Sequence, residues 1–142
     1  MRILIDANIL LDVLQKREPH DICSSAVWKL CETCLIEGCF STLTFANLTY
    51  VMRKELSPEQ IKNVLSSLQL IFRITDLSAN DLAKAAELCW TDYEDAIQSV
   101  IAKRLDAAYI VTRNEKDFAG SEIPAITPEA FIQAARQIIQ PA

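Results

Sequence analysis

Residues 1–14 read MRILIDANILLDVL, and this stretch decides how the rest of the chain is interpreted. Residues 3–5 form a short apolar run, which is typical of a strand covered on both faces. Asp6 therefore lies at the carboxyl end of that strand, where open α/β sheets bind ligands. Asp6 and Asn8 are also favoured helix N-caps, so capping and ligand binding both remain open for this segment.

Length and composition predict one globular domain spanning residues 1–142. Hydrophobic residues make up 51% of the 142 positions, which is enough for a substantial core. No apolar run approaches the roughly 18 residues that a membrane span requires, and no secretion signal is evident. We therefore expect a soluble, cytoplasmic protein with no membrane partner.

Cysteine and histidine counts restrict the chemistry. Five cysteines are an odd number, so reduced thiols are expected rather than a disulfide framework. Cys31 and Cys34 form a C-x-x-C pair inside a helical pattern, without the second Cys or His pair that a zinc tetrahedron needs. His20 is the single histidine, and we expect a loop or cap role for it. Carboxylates are therefore the natural catalytic groups.

Strand-like and helix-like segments alternate along the chain. Short apolar runs such as CFSTLT, LIFRITDL and AAYIVT are separated by segments with helical periodicity. Ser57, Ser78 and Thr127 are predicted N-caps, and Gly38 is predicted to end the second helix. This alternation predicts a three-layer α/β/α sandwich with a mostly parallel sheet.

Polar residues follow the predicted strands at positions that a parallel sheet brings to one edge. Asp92 and Asp95 begin a clear amphipathic helix, three residues apart. Either acid can complement the helix dipole, and we accept that role for one of the two while favouring function for Asp95. The complete candidate set at this edge is Asp6, Asn47, Asp92, Asp95, Asn114 and Asp117.

The net charge of −5 argues against binding nucleic acid by simple phosphate neutralisation. Bound cations at a cluster of acids would invert the local field, and scattered Lys and Arg residues would then supply phosphate contacts. Arg113 is one such residue, although a solvated role is equally compatible with its position. Tyr50 either stacks on a base or, as we expect, packs in the core, and Phe118 is expected to anchor its loop.

Three blocks of the sequence together resemble the PIN-domain family, which includes the VapC-type toxin ribonucleases. The blocks are LIDANILLD, TDYEDAIQSVIAKRLDAAYIVTRNEKDF and ITPEAF. The resemblance implies that Asp6 and Asp95 are metal ligands, and we expect Asp117 or Asp92 to be a water-mediated partner, with Asp117 in the catalytic set. Asn47 and Asn114 stand where the family usually carries acids, and the pattern is similar to a PIN subgroup with these asparagines.

This resemblance implies a Mg²⁺- or Mn²⁺-dependent ribonuclease that hydrolyses phosphodiester bonds. We expect Asp6 and Asp95 to bind the ion, with Asn47, Asp92, Thr112, Arg113 and Asn114 contacting its waters or the substrate. The toxin analogy implies an RNA substrate, a small antitoxin partner and a homodimer. The alternative is a catalytically weakened PIN-like domain that binds RNA or a protein partner, because two neutral amides replace two anions.

Overall fold

The computed structural model describes residues 1–139 and contains a five-stranded parallel sheet. The strand order is β3-β2-β1-β4-β5. Every neighbouring pair of strands is parallel, and Leu4 in the central strand lies between Cys39 and Ile110. The strands are β1 (Arg2–Ile5), β2 (Glu37–Ser41), β3 (Arg73–Thr75), β4 (Tyr109–Val111) and β5 (Ala125–Ile126).

The helices begin close to the predicted caps. Ser57 and Ser78 each form a capping box, and the Thr127 hydroxyl accepts a hydrogen bond from the backbone N–H of Ala130. These local signals were readable because each cap satisfies a backbone donor that the helix itself leaves free. The helices are α1 (Ala7–Leu14), α2 (Asp21–Glu32), α3 (Thr42–Met52), α4 (Pro58–Ile71), α5 (Ala79–Glu87), α6 (Tyr93–Arg104), α7 (Pro128–Ile139) and a 3₁₀ helix (Glu115–Phe118).

Helices cover both faces of the sheet, which confirms the α/β/α sandwich. Successive side chains of a strand point to opposite faces, and β1 shows this alternation clearly. Ile3 and Ile5 pack with buried residues of α1–α4 and α7. Leu4 points the other way and packs with Ala96 and Ile101 of the α5–α6 side. Because β1 is buried on both faces, its run of apolar residues is uninterrupted.

Gly38 does not end α2, contrary to the sequence prediction. The helix ends at Glu32, and the residue with left-handed backbone geometry is Cys34, with φ 62°. Gly38 lies in β2, where an added Cβ would lie 2.6 Å from Cys31 Sγ and 2.8 Å from Phe72 Cδ1. Glycine is therefore suited to this position because a neighbouring helix and loop approach the strand too closely for a side chain.

The segment LIFRITDL is only partly a strand. Helix α4 extends to Ile71, and β3 is limited to residues 73–75. Leu68 is buried and continues the apolar face of α4, so helical packing decides the conformation of the first residues of this segment. A short apolar run alone does not distinguish a buried helix end from a buried strand.

The order of the strands creates a crevice at the carboxyl end of the sheet. β1 pairs with β2 on one side and with β4 on the other, so the chain reverses its direction of strand addition at β1. Ligands of open α/β sheets bind at this kind of topological switch point. Asp6 directly follows β1 and Thr112 directly follows β4, which places both residues at the crevice.

None of the helices described is long and apolar enough to span a membrane. The five cysteines have free thiols, with Cys31 and Cys39 buried and Cys34 and Cys89 exposed. Burial raises the pKa of the Cys31 thiol to about 12 and that of the Cys39 thiol to about 11.

Candidate active site

A pocket of about 390 Å³ opens at the switch point of the sheet. Its lining comes from the segments after β1 and β4, from α3, and from the start of α6. Elements far apart in sequence therefore contribute to one concave surface. Seven of the residues predicted from the sequence lie in this lining: Asp6, Asn47, Asp92, Asp95, Thr112, Asn114 and Asp117.

Asp6 occupies the N-cap position of α1, but its side chain does not cap the helix. Its Oδ2 accepts a hydrogen bond of 2.9 Å from the Thr112 hydroxyl, and its Oδ1 accepts a long contact of 3.5 Å from Gln98 Nε2. Burial raises the pKa of Asp6, and these two donors oppose that rise. Asn8, the alternative cap, lies inside α1 and does not cap it.

Thr112 connects the end of β4 to the carboxylate of Asp6. Its side chain is fully buried, and its hydroxyl also accepts a hydrogen bond of 3.1 Å from the backbone N–H of Asn114. Its own backbone N–H donates to Ile126 O in β5. Thr112 therefore fixes both the orientation of Asp6 and the turn that leads to Asn114.

Asp92 and Asp95 have different structural roles. Asp92 is the N-cap of α6, and its Oδ1 accepts a hydrogen bond of 3.1 Å from the backbone N–H of Asp95. Asp92 therefore serves the N-terminus of the helix, as expected for one acid of the pair, and it does so by capping. Burial, followed by repulsion from Asp92 and Asp6, raises the pKa of Asp95 to about 7. Asp95 thus lies among negative charges in a partly dehydrated position.

Glu94 is a lining residue that the sequence analysis missed. Its Oε1 accepts a hydrogen bond of 2.7 Å from Asn47 Nδ2, which joins α6 to α3 across the pocket. Burial and the charges of Asp92 and Asp6 raise the pKa of Glu94. The available signal was its position directly before Asp95, but neighbouring residues of a helix point in different directions, so a solvated role was the simpler reading.

Gln98 is the second residue that sequence reasoning missed. It lies three residues after Asp95 on α6, is only 4% exposed, and lines the pocket. Within residues 1–139 its buried Oε1 has no hydrogen-bond partner. A buried amide oxygen without a partner costs free energy, so Gln98 is suited to receive a donor from a bound water or ligand. The i, i+3 spacing from Asp95 was the signal for its position.

Two aromatic residues near the pocket differ in burial. Phe118 is 4% exposed and packs edge-to-face against Trp90, which confirms its predicted anchoring role. Tyr50 is 65% exposed and lines the pocket, so the expectation that it packs in the core is wrong. The core position on this part of α3 is taken by Leu48 and Met52, which turns Tyr50 toward solvent.

The structure does not bring Arg113 into the pocket. Its Nε lies 3.2 Å from Asp12 Oδ2, and the fully buried Asp12 also accepts a hydrogen bond of 2.9 Å from the Ser24 hydroxyl. This polar cluster joins α1, α2 and the end of β4 on the other side of the strand end. Arg113 instead lines a separate cavity of about 160 Å³ together with Ser24 and Thr127.

Other basic side chains are bound to acids away from the pocket. Arg104 contacts both carboxylate oxygens of the buried Asp81, at 3.0 and 2.9 Å. Lys103 forms an ion pair of 2.8 Å with Glu122. The pocket lining itself contains five acids and no Lys or Arg. The lining itself therefore has a net negative charge.

The donor set fits an oxygen-binding cation with an open coordination shell. In the part of the chain that is described, no group of three His, Cys, Asp or Glu side chains is placed to hold a metal ion, so any bound cation would take most of its ligands from water or substrate. Mg²⁺ is usually bound by one or two carboxylates, with waters and substrate oxygens completing its shell. The carboxylates that line the pocket, Asp6 and Asp95 among them, are oxygen donors of this kind.

The sheet order and the acid-lined pocket define an α/β protein whose candidate active site lies at the switch point of a parallel sheet. A family model described as "PIN domain" matches residues 2–116. The chain therefore belongs to the PIN-domain family. A search of curated proteins found no significant match.

Solved structures of toxin–antitoxin proteins have a similar fold. A VapBC2 structure from Rickettsia felis, bound to a promoter DNA fragment, matches at 20% identity with a TM-score of 0.66, covering 89% of this chain and 98% of that chain. A toxin–antitoxin complex from Klebsiella pneumoniae matches at 23% identity with a TM-score of 0.69, covering 89% and 97%. The sarcin-ricin loop cleaving toxin VapC20 from Mycobacterium tuberculosis matches at 10% identity with a TM-score of 0.67, covering 87% and 98%.

Proposed function

We propose that this protein is an endoribonuclease that depends on Mg²⁺ or Mn²⁺, with Asp6 and Asp95 as the protein ligands of the ion. The observation that carries the proposal is that five acids line one pocket to which no basic side chain contributes. Membership of the PIN-domain family and the cleavage of the sarcin-ricin loop named for the similar VapC20 support it. A cation is the simplest partner for this concentration of negative charge.

The residues of the chain prepare the site in distinct ways. Thr112 and Gln98 each donate to one oxygen of Asp6, which holds its carboxylate in one orientation. Asp92 fixes the backbone of Asp95 by capping α6. When bound, the divalent cation would supply charge neutralisation at the phosphate and a nucleophilic water.

The remaining lining residues would act through water or substrate. Asn47 holds Glu94 at the rim by a 2.7 Å hydrogen bond. Asp117 is positioned by the 3₁₀ helix, whose first turn begins with a hydrogen bond of 3.0 Å from Asp117 N to Asn114 O. We assign Asp117 a water-mediated role in the catalytic set, and Asn114 a contact with waters or substrate.

Calorimetric titration with Mn²⁺ tests the metal site directly. We expect the native protein to bind Mn²⁺ and the Asp6→Asn variant to lose binding while remaining folded. The matched control is Asp76→Asn, because Asp76 is exposed, follows β3, and lies outside the pocket. Retained binding in Asp6→Asn, or equal loss in Asp76→Asn, would contradict the assignment.

The proposed partners follow from similarity to toxin–antitoxin proteins. The similar structures from Rickettsia felis and Klebsiella pneumoniae are toxin–antitoxin assemblies. We therefore propose an RNA substrate, a small antitoxin protein and a homodimer. Co-expression with the product of an adjacent small reading frame tests the antitoxin, and light scattering of the purified protein tests the dimer. A monomer that copurifies with no such product would refute both partners.

The second candidate function is a PIN domain that binds RNA or a protein without cleaving. The observation in its favour is that Asn47 and Asn114 bring neutral amides into the pocket. Amides bind divalent cations more weakly than carboxylates do because they carry no charge. No Mn²⁺ binding by the native protein up to millimolar concentrations would favour this function and refute the ribonuclease.

A further inference from the structure

An aromatic ring is exposed at the rim of the acidic pocket. Tyr50 lies on α3, three residues after Asn47, and both residues line the pocket. The Tyr50 side chain is 65% exposed, so core packing does not explain its presence. Tyrosine combines a large apolar face with a polar hydroxyl, so it is suited to binding a ligand at the edge of a pocket that is open to water.

Arg53 holds this ring in place. Its guanidinium carbon lies 3.9 Å from the centroid of the Tyr50 ring, which is a cation–π contact. Its Nη1 also donates a hydrogen bond of 2.6 Å to the backbone carbonyl of Tyr50. Arg53 therefore packs on one face of the ring and brings a positive charge next to it.

The acidic pocket continues into a second groove on its other side. This groove has a volume of about 500 Å³ and shares Asp92, Asp95 and Asp117 with the pocket. Trp90 and Lys116 also line it. The carboxylates therefore lie between an aromatic–cation pair at one end and a second aromatic residue and cation at the other.

The acids at the centre and the basic residues beside them determine which parts of a nucleic acid can be bound here. Phosphates are repelled at the centre unless a cation is present, so the flanking nucleotides depend on contacts at the two ends. An aromatic ring stacks on the uncharged face of a base, so this contact does not involve the negatively charged phosphates. Bases in a double helix are already stacked and paired, whereas those of a single strand or a loop are free to stack on a side chain.

We propose that Tyr50 and Arg53 form a stacking platform for an unpaired base of single-stranded RNA, next to the phosphate bound at the carboxylates. This inference rests on the proposed ribonuclease function and assigns a base-binding subsite beside that site. Stacking of one base on an aromatic side chain corresponds to a change in affinity of about 5- to 150-fold.

Fluorescence anisotropy with a labelled oligouridylate measures the contribution of the ring. Ca²⁺ replaces Mn²⁺ in the assay, and a gel verifies that the RNA stays intact. We expect Tyr50→Leu to weaken binding by about 5- to 150-fold, while Tyr50→Phe binds as the native protein does. The matched control is Tyr93→Leu, because Tyr93 is also exposed and lies outside both grooves.

The outcomes separate this inference from the proposed function. Equal binding by the native protein and Tyr50→Leu would overturn the platform alone, provided that calorimetry shows unchanged Mn²⁺ affinity. Equally strong binding of a duplex formed with oligoadenylate, with the same dependence on Tyr50, would also overturn it. Failure of the native protein to bind Mn²⁺ would overturn the proposed function itself.

Discussion

Replacing Asp95 by Asn is expected to stabilise the protein when no divalent cation is present. The pKa of Asp95 is raised from 3.8 to about 7, first by burial and then by Asp92 and Asp6. The folded state therefore holds the proton more tightly than the unfolded state. Protonation of Asp95 favours the folded state; this contribution to the free energy of unfolding is fully present below about pH 4 and is lost as the pH rises through about 7. Asparagine carries no charge and avoids this loss.

The magnitude follows from the size of the pKa shift. A rise of about three units corresponds to about 4 kcal/mol before solvent screening is considered. Asp95 is partly exposed, and screening reduces such energies strongly, so we expect a gain of about 1–2 kcal/mol at pH 8. At pH 5 the gain is smaller, because the free-energy penalty of ionising Asp95 in the folded protein accumulates as the pH rises from the unfolded pKa of 3.8 toward the folded pKa.

Urea unfolding in EDTA at these two pH values measures the effect. Asp76→Asn is the control, since it removes an exposed carboxylate outside the pocket. With saturating Mn²⁺ the order reverses, because a ligand at 100 times its Kd adds about 2.7 kcal/mol to the native protein alone. An Asp95→Asn variant that is less stable than native in EDTA at pH 8, or a gain independent of pH, would refute the reasoning.

Three further predictions concern the core, a capping acid and the thiols. Gly38→Ala is expected to cost about 1–3 kcal/mol in urea unfolding because its Cβ would contact Cys31 at 2.6 Å, whereas Gly120→Ala, with its nearest contact at 3.4 Å, is tolerated. Burial alone would raise the pKa of Asp81, but hydrogen bonds from the Arg104 guanidinium and from the backbone N–H of Ser78 lower it. We therefore expect Asp81→Asn to cost about 1–3 kcal/mol of unfolding free energy at neutral pH, and less as the pH falls below that pKa. Alkylation with iodoacetamide at pH 8, followed by mass spectrometry, is expected to label the exposed Cys89 and leave Cys31 unmodified.

The fold was predictable from the sequence wherever local signals agree with tertiary packing. The capping boxes at Ser57 and Ser78 and the uninterrupted apolar run of β1 are examples. Gly38 was misassigned because a helix-ending glycine and a glycine required by close packing look the same in sequence. The extent of α4 was also missed, since burial of Leu68 against other elements decides it.

The candidate site was predictable to the extent that a parallel sheet brings strand ends together. That rule placed Asp6 and Asp117 at one edge of the sheet, and the first turn of α6 brings Asp95 into the same pocket. It did not identify Glu94, whose contact with Asn47 depends on how α3 and α6 approach each other. Contacts between helices depend on packing distances and angles, which a single sequence does not specify.

The hydrogen bond between Thr112 and Asp6 joins residues 106 positions apart in the chain. At a synthesis rate of about 5–20 residues per second, Thr112 is made roughly 5–20 seconds after Asp6. β1 can pair with β2 early, but its second neighbour, β4, exists only when most of the chain has been translated. Until α6 and then Thr112 have been made, Asp6 does not have both of its hydrogen-bond partners, so a nascent chain on the ribosome has no complete pocket. The order of the strands thus delays assembly of the site until late in synthesis.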